Sequence, residues 1–185
     1  MAVIQVLIAA TSWSAAEAYR EAAREGRPAW DVLTALDGVS LLAIPVLIAT
    51  YVVACLWLQA CRRNAVQLRP QDPHARSTVW VWLGWWVPIV NFWFPYQVVR
   101  DVRYASCGPR NGPGLGLWWT AWIVWAVFDR ITSQMVPTDE IDPSVVDAMP
   151  TLATITAVAS VVGAVRWIQI VRGITAGQRA LVALR

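Results

Sequence analysis

Lysine is absent from this 185-residue sequence, histidine occurs once, and none of the three cysteines forms a C-x-x-C pair. A lone histidine, His74, excludes a bis-histidine haem site and a zinc site built from several histidines of this chain. Hydrolase chemistry needs a base beside its nucleophile, and His74 with Cys61 is the only pairing available. All fifteen basic residues are arginine, which we interpret as the codon bias of a GC-rich bacterium. We therefore expect no catalytic residues, no cofactor and no metal.

Apolar residues form 57% of the chain, tryptophan contributes 13 residues, and the mean hydropathy is +0.47. These values lie well above those of soluble domains. The length accommodates four or five hydrophobic helices and loops of about 15 to 20 residues, without a separate soluble domain. We predict one all-α integral membrane domain over residues 1–185, located in the bacterial cytoplasmic membrane.

Four stretches are predicted to span the membrane: residues 2–19, 38–60, 115–135 and 149–171. The first is short, and the charges that follow it at spacings of three and four extend it as an exposed helical stalk. A cleavable signal peptide that ends near residue 18 is the alternative for this stretch. The second contains Pro45, which we expect to kink the helix.

Residues 78–99 hold five tryptophans, two prolines and no charge, yet arginines flank them on both sides. Arginine-rich short loops stay in the cytoplasm, so this pattern favours a segment that enters the membrane and returns. Pro88 and Pro95 each remove a backbone donor, which predicts a turn between two helical limbs of about ten residues. We predict a re-entrant or interfacial helical hairpin. A proline-kinked full span that violates the positive-inside rule at one loop is the alternative.

Charge counts by connection support this topology. Connections 62–76, 100–110 and 166–185 are rich in arginine, whereas 17–37 and 129–147 are rich in acids. Four crossings plus a hairpin place every basic connection in the cytoplasm and every acidic one outside. Both termini are then cytoplasmic.

Several motifs resemble a known bacterial membrane family. They are residues 56–65, 84–91 and 95–100, the Ala-Ser pair at 105–106, and the tryptophan pair at 118–119. In this order they are similar to the multipass family catalogued as domain of unknown function 4328. The resemblance covers nearly the whole chain and implies a multipass architecture, but no activity, cofactor or catalytic residue. Tyr104 stands where such proteins often carry tryptophan.

The motifs and the arginine flanks supply our candidates for binding lipid or a protein partner. They are Arg62, Arg63, Asn64, Trp85, Trp86, Pro88, Asn91, Pro95, Tyr96, Gln97, Arg100, Trp118 and Trp119. The arginines predict a basic cytoplasmic rim that attracts anionic lipid headgroups. Nucleic acid is not expected as a partner, because no soluble basic domain exists to bind it.

Two functions remain open. The first is a noncatalytic membrane module or accessory subunit that binds lipid or another membrane protein. The alternative is a subunit of an oligomeric small-molecule transporter or channel, because broken backbone such as that of 78–99 lines pathways in transport proteins. A seam of small residues in the last span, from Ala153 to Ala164, predicts close packing against a neighbouring helix of the chain, with a second copy as the alternative.

Overall fold

The computed structural model describes residues 1–108, 114–134 and 141–184. The residues outside these ranges include Arg110, Arg185, the last residue of the third predicted span and part of the predicted acidic connection. Within the described ranges the chain forms helices and no strand, which confirms the all-α class. The α-helices are α1 (Ala2–Arg24), α2 (Ala35–Leu68), α3 (Trp80–Leu83), α4 (Phe94–Cys107), α5 (Gly116–Gln134) and α6 (Pro143–Ala183). Two 3₁₀ helices cover Ala29–Asp31 and Val90–Phe92.

Two helices among the described residues, α2 and α6, are long and apolar enough to cross a membrane. They contain 34 and 41 residues, and each continues through an internal proline, Pro45 in α2 and Pro150 in α6. The other two long helices, α1 with 23 residues and α5 with 19, do not reach the same apolar level. Length and composition thus support membrane association for α2 and α6, and four crossings stay a prediction.

Helix α1 continues beyond the predicted span, as its charge spacing indicated, and stops before Gly26, which adopts a positive φ of 69°. The extension is not a fully exposed stalk. Tyr19 and Ala22 are buried, and Arg20 forms an ion pair with Asp147 at 2.7 Å. The expectation of an exposed stalk was therefore wrong, because one face of this extension carries packing residues.

The segment 78–99 is broken, but it is not a pair of helical limbs. Helix α3 ends after four residues, turns and a 3₁₀ helix follow, and α4 begins at Phe94 with Pro95 in its first turn. The prediction of a helical first limb was wrong in length, because Pro88 lacks the donor that would continue the helix and restricts the residue before it. The interruption itself is confirmed.

The chain divides into two compact units, which we describe separately. Unit 1 comprises Met1–Ile48 and Thr120–Gly163, and unit 2 comprises Ala49–Trp119 and Ala164–Arg185. The core of unit 1 is rich in alanine, including Ala15, Ala16 and Ala153. The core of unit 2 contains larger side chains, such as Leu58 and Trp118. The single-domain assignment stays a prediction.

Candidate functional site

All thirteen residues selected from the sequence lie in unit 2. Three of them form part of an aromatic cluster that also includes residues of α2 and α6. The ring of Tyr96 lies 5.9 Å from Trp119, and Trp119 lies 5.4 Å from Trp118. Trp118 stacks on Trp167 at 5.3 Å, and Trp167 meets Trp57 edge to face at 5.5 Å. Such contacts each contribute about 0.5–1.5 kcal/mol beyond area burial, so the tryptophan pair 118–119 forms part of the core.

Hydrogen bonds with other parts of unit 2 hold the broken segment. The Tyr51 hydroxyl donates to the carbonyl of Trp82 at 2.8 Å, and the indole of Trp82 donates to Gln59 at 2.8 Å. The indole of Trp119 donates to the carbonyl of Phe92 at 3.1 Å. Two of these bonds are accepted by main-chain carbonyls, those of Trp82 and Phe92. The backbone is irregular there, so these carbonyls do not form the hydrogen bonds of a regular helix. Other helices of unit 2 thus stabilise this segment.

The broken segment has one buried side and one exposed side. Val81 is fully buried and Pro95 lies in the core, whereas Trp86 is 62% exposed and Ile89 is 69% exposed. Ile89 also has a φ of 67°, a region that β-branched residues rarely adopt and that marks local strain. We refer to the exposed apolar residues of this region as the apolar turn: Leu83, Trp86, Ile89, Phe92 and Trp93.

Four other candidates lie in this segment: Trp85, Trp86 and Asn91 each have a contact within unit 2, and Pro88 lies in a turn. The indole of Trp85 donates to the carbonyl of Val81 at 3.1 Å, one turn earlier. Pro88 is exposed and lies in the turn after α3. The backbone N–H of Asn91 donates to the Val87 carbonyl at 3.0 Å, while its side-chain oxygen is buried without a hydrogen-bond donor among the described residues. Trp86 adds an edge-to-face contact with Tyr51 at 5.4 Å.

Two arginines that precede segment 78–99 make contacts within unit 2, whereas the sequence predicted a basic rim for lipid headgroups. Arg62 is buried and donates to the carbonyl of Arg76. Arg76 in turn donates to Gln97 at 2.7 Å, and its guanidinium lies 3.8 Å from the ring centre of Phe94. These contacts tie the connection after α2 to the first turns of α4. Arg62 therefore contributes to folding contacts of unit 2, whereas its neighbour Arg63 is exposed.

Asp101 is the centre of a buried polar cluster. It accepts two hydrogen bonds from Arg100, at 2.9 and 3.0 Å, and one from the backbone N–H of Ala75 at 2.8 Å. His74 precedes that contact, and burial, followed by the positive charge of Arg62, lowers the pKa of its imidazole. Neither ring nitrogen of His74 has a hydrogen-bond partner among the described residues.

A polar groove of about 440 Å³ lies in unit 2 between the last turns of α2 and the last turns of α6. Its lining residues are Asn64, Gln67, Leu68, Thr175, Gln178, Arg179 and Val182. Gln178 is buried and donates to the carbonyl of Cys61 at 2.8 Å and to the Ser106 hydroxyl at 3.0 Å. The Asn64 amide donates to Gln178 at 3.2 Å. Arg179 is exposed, and no carboxylate within the described ranges forms an ion pair with it.

Sequence reasoning selected Asn64 but missed Asp101 and Gln178. Asp101 was counted only as a single acid within a basic connection, and Gln178 is 114 residues away from its partner Asn64. A glutamine on an otherwise apolar helix face was the available signal for Gln178. Asp101 had no comparable signal, because its distant contact, the N–H of Ala75, lies in a connection that lacks periodicity.

The chain was compared with known families and proteins. The family described as "Domain of unknown function (DUF4328)" matches residues 20–176. The chain belongs to this family. Domain 4328 thus covers all thirteen candidate residues, the groove residues through Thr175 and the broken segment, and it confirms the resemblance found in the motifs. No curated protein and no solved structure matches the chain.

Proposed function

We propose that this protein is a noncatalytic module of the bacterial cytoplasmic membrane that binds anionic lipid headgroups in the polar groove of unit 2. The observation that carries this proposal is the composition of the groove. Arg179 supplies a positive charge, and Asn64 and Gln67 supply amide groups. Leu68 and Val182 line the same groove with apolar surface that suits the start of an acyl chain.

The proposed topology places the groove where anionic headgroups are found. In this topology α1, α2, α5 and α6 cross the membrane, and segment 78–99 returns to the side that it entered. Helices of 23 and 19 residues, the lengths of α1 and α5, extend about 34 Å and about 28 Å, close to the hydrocarbon thickness of about 30 Å. The groove residues belong to the arginine-rich ends of α2 and α6, so the positive-inside rule favours the cytoplasmic leaflet.

The apolar turn supports an interfacial position for the broken segment. Trp86 and Trp93 are exposed at 62% and 45%, and indole rings favour the boundary between headgroups and acyl chains. Ile89 and Phe92 add apolar side chains that suit the lipid side of that boundary. The turn and the groove thus contact the membrane through two different chemistries, apolar insertion and headgroup binding.

Lipid retention by the purified full-length protein tests the proposal. We expect native mass spectrometry in neutral detergent to show retained phosphatidylglycerol and much less phosphatidylcholine. Replacing Arg179 with Gln is expected to weaken retention of phosphatidylglycerol about fivefold, because one arginine near a headgroup contributes about 1 kcal/mol.

The matched control is Arg24→Gln, which removes the same charge from an exposed position at the end of α1. An equal loss of phosphatidylglycerol in both variants would show that net charge alone retains the lipid, and would contradict the groove as the site.

A second function, a subunit of an oligomeric transporter or channel, is favoured by one observation. The side-chain oxygen of Asn91 is buried without a donor among the described residues, which leaves it available to a ligand. Asn91→Leu separates the two functions. Lost flux in reconstituted vesicles with assembly intact supports transport, whereas unchanged lipid retention without any flux in the parent protein supports the lipid-binding module.

A further inference from the structure

A partly open cavity of about 310 Å³ lies within unit 1 and is lined by residues of α1, α2, α5 and α6. Its walls are mainly apolar, with Ile8, Leu36, Leu47 and Met149 among them. Seven polar residues also line it: Gln5, Ser12, Ser40, Asp129, Thr132, Ser133 and Thr156. Such a mixture of apolar walls and a few polar groups is typical of small-molecule sites.

Four of the five hydroxyl groups of this cavity present only acceptors to a ligand. Ser12, Thr132, Ser133 and Thr156 each donate to a carbonyl of their own helix, at 2.7 to 2.9 Å. A hydroxyl has a single proton to donate and retains lone pairs that accept further hydrogen bonds. Because these protons are already used, the four hydroxyls offer a ligand only lone pairs. Four of the five hydroxyls in the lining, all except that of Ser40, therefore favour a ligand that donates hydrogen bonds.

Asp129 gives the cavity a negative charge. Its carboxylate accepts one hydrogen bond, at 2.9 Å, from the side-chain amide of Gln5. Among the described residues that line the cavity, no side chain is basic. Met1 also lines it and carries the terminal ammonium group, but no described salt bridge joins that group or any other cation to Asp129. A neutral amide satisfies part of the carboxylate but does not neutralise it, so a ligand cation has a charge partner here.

The apolar walls then decide the kind of cation. A single metal ion needs a shell of oxygen ligands and occupies far less than 310 Å³. A primary amine combines N–H donors and a positive charge with an apolar body. We infer that the unit 1 cavity binds a small organic cation through a primary ammonium group, with Asp129 as its counter-ion. The ammonium group belongs either to a free amine or to the ethanolamine headgroup of a lipid.

Isothermal titration calorimetry of the full-length protein in neutral detergent tests this site with n-pentylammonium chloride, against a blank of empty micelles. We expect saturable binding of n-pentylammonium and at least tenfold weaker binding of 1-pentanol, which has the same apolar body without the charge. Tetramethylammonium lacks N–H donors and is also expected to bind at least tenfold more weakly. Equal binding of any of these probes would overturn the assignment.

Asp129→Asn keeps the size of the side chain and removes its charge, and we expect it to weaken n-pentylammonium binding at least tenfold. The matched control is Asp31→Asn, an exposed acid of the same unit, which is expected to leave the affinity within twofold. An unchanged affinity in Asp129→Asn would overturn the proposal. If that variant fails to fold, the comparison of n-pentylammonium with 1-pentanol on the unmodified protein still decides the question.

Two competition experiments complete the test. Displacement of n-pentylammonium by sodium chloride, but not by choline chloride, would identify a metal-ion site and overturn the ammonium assignment. In phosphatidylcholine nanodiscs, addition of phosphatidylethanolamine is expected to compete if the natural ligand is a lipid headgroup. Unchanged binding in those nanodiscs assigns the ammonium group to a free amine.

Discussion

The two units of this chain differ in what they bury. Unit 1 packs small side chains, with Ala15, Ala16 and Ala22 fully buried, and it contains a cavity beside Asp129. Unit 2 packs aromatic rings and long polar side chains, and its buried groups include Asp101 and Gln178. Small residues let helix backbones approach closely, while directed hydrogen bonds hold irregular backbone in one arrangement. The irregular segment 78–99 occurs in unit 2, where side-chain hydrogen bonds from Tyr51 and Trp119 reach its main chain.

The two units are expected to differ most in the free energy of unfolding that they lose when an acidic residue is replaced. Asp101→Ala in unit 2 removes a carboxylate that is 6% exposed and leaves Arg100 and the Ala75 N–H without their acceptor. We expect a loss of about 3 kcal/mol in the free energy of unfolding. Denaturant titration in mixed micelles, followed by tryptophan fluorescence, measures it.

The corresponding change in unit 1 is Asp147→Ala, at a carboxylate whose side chain is 65% exposed and pairs with Arg20. An exposed ion pair contributes about 0.5 kcal/mol. Similar losses of unfolding free energy in Asp101→Ala and Asp147→Ala would show that the buried polar cluster stabilises unit 2 no more than an exposed ion pair stabilises unit 1.

Glycines of α6 provide the next comparison. A Cβ at position 177, in unit 2, would lie 2.5 Å from the carbonyl oxygen of Ser106, so Gly177→Ala is expected to cost about 2 kcal/mol. A Cβ at position 163, in unit 1, would meet only the Ala121 Cβ at 3.8 Å. Gly163→Ala is expected to stabilise the protein by about 0.5 kcal/mol through helix propensity. Thermal unfolding of both variants decides whether the tight approach belongs to unit 2 alone.

Two tyrosines test the directed hydrogen bonds. Tyr51→Phe leaves the carbonyl of Trp82 without its donor while keeping the ring contacts, and we expect a loss of about 1 kcal/mol. Tyr19→Phe is the control in unit 1, because the buried Tyr19 makes no hydroxyl hydrogen bond among the described residues. Its expected change in unfolding midpoint is near zero. Equal shifts of the unfolding midpoint in Tyr51→Phe and Tyr19→Phe would contradict a stabilising role of the hydrogen bond from Tyr51.

The smallest expected effect is a pH dependence in unit 2. Burial lowers the pKa of His74 below its ordinary value of 6.5, so the unfolded chain binds a proton more readily than the folded one. The stability that depends on neutral His74 is therefore fully present above pH 6.5 and is lost as the pH falls below that value. His74 is the only histidine, so His74→Gln should flatten the dependence of the unfolding midpoint between about pH 7.5 and about pH 5.5. A slope that persists in this variant would assign the effect to another group.

Particular elements show how far sequence reasoning reached. The continuation of α1 followed from charges at helical spacing, and the interruption of 78–99 followed from Pro88 and Pro95. The five tryptophans of that segment were predicted to lie together in one re-entrant or interfacial hairpin. The structure separates them, since Trp82 donates to Gln59 while Trp86 is exposed. A turn of irregular backbone has no fixed period, so sequence spacing does not show which side chains face the core.

The sequence by itself determined that this chain is helical, that α2 and α6 suit a membrane, that its family is the one its motifs resemble, and that proline interrupts segment 78–99. These properties depend on composition and on local backbone chemistry, which act over a few residues. Only the tertiary structure decided that Asp101 binds the backbone N–H of Ala75, that Gln178 contacts α2 and α4, and that Gln5 reaches Asp129. Those contacts join residues 26 to 124 positions apart, and a hydrogen bond between distant residues leaves no periodic trace in the chain.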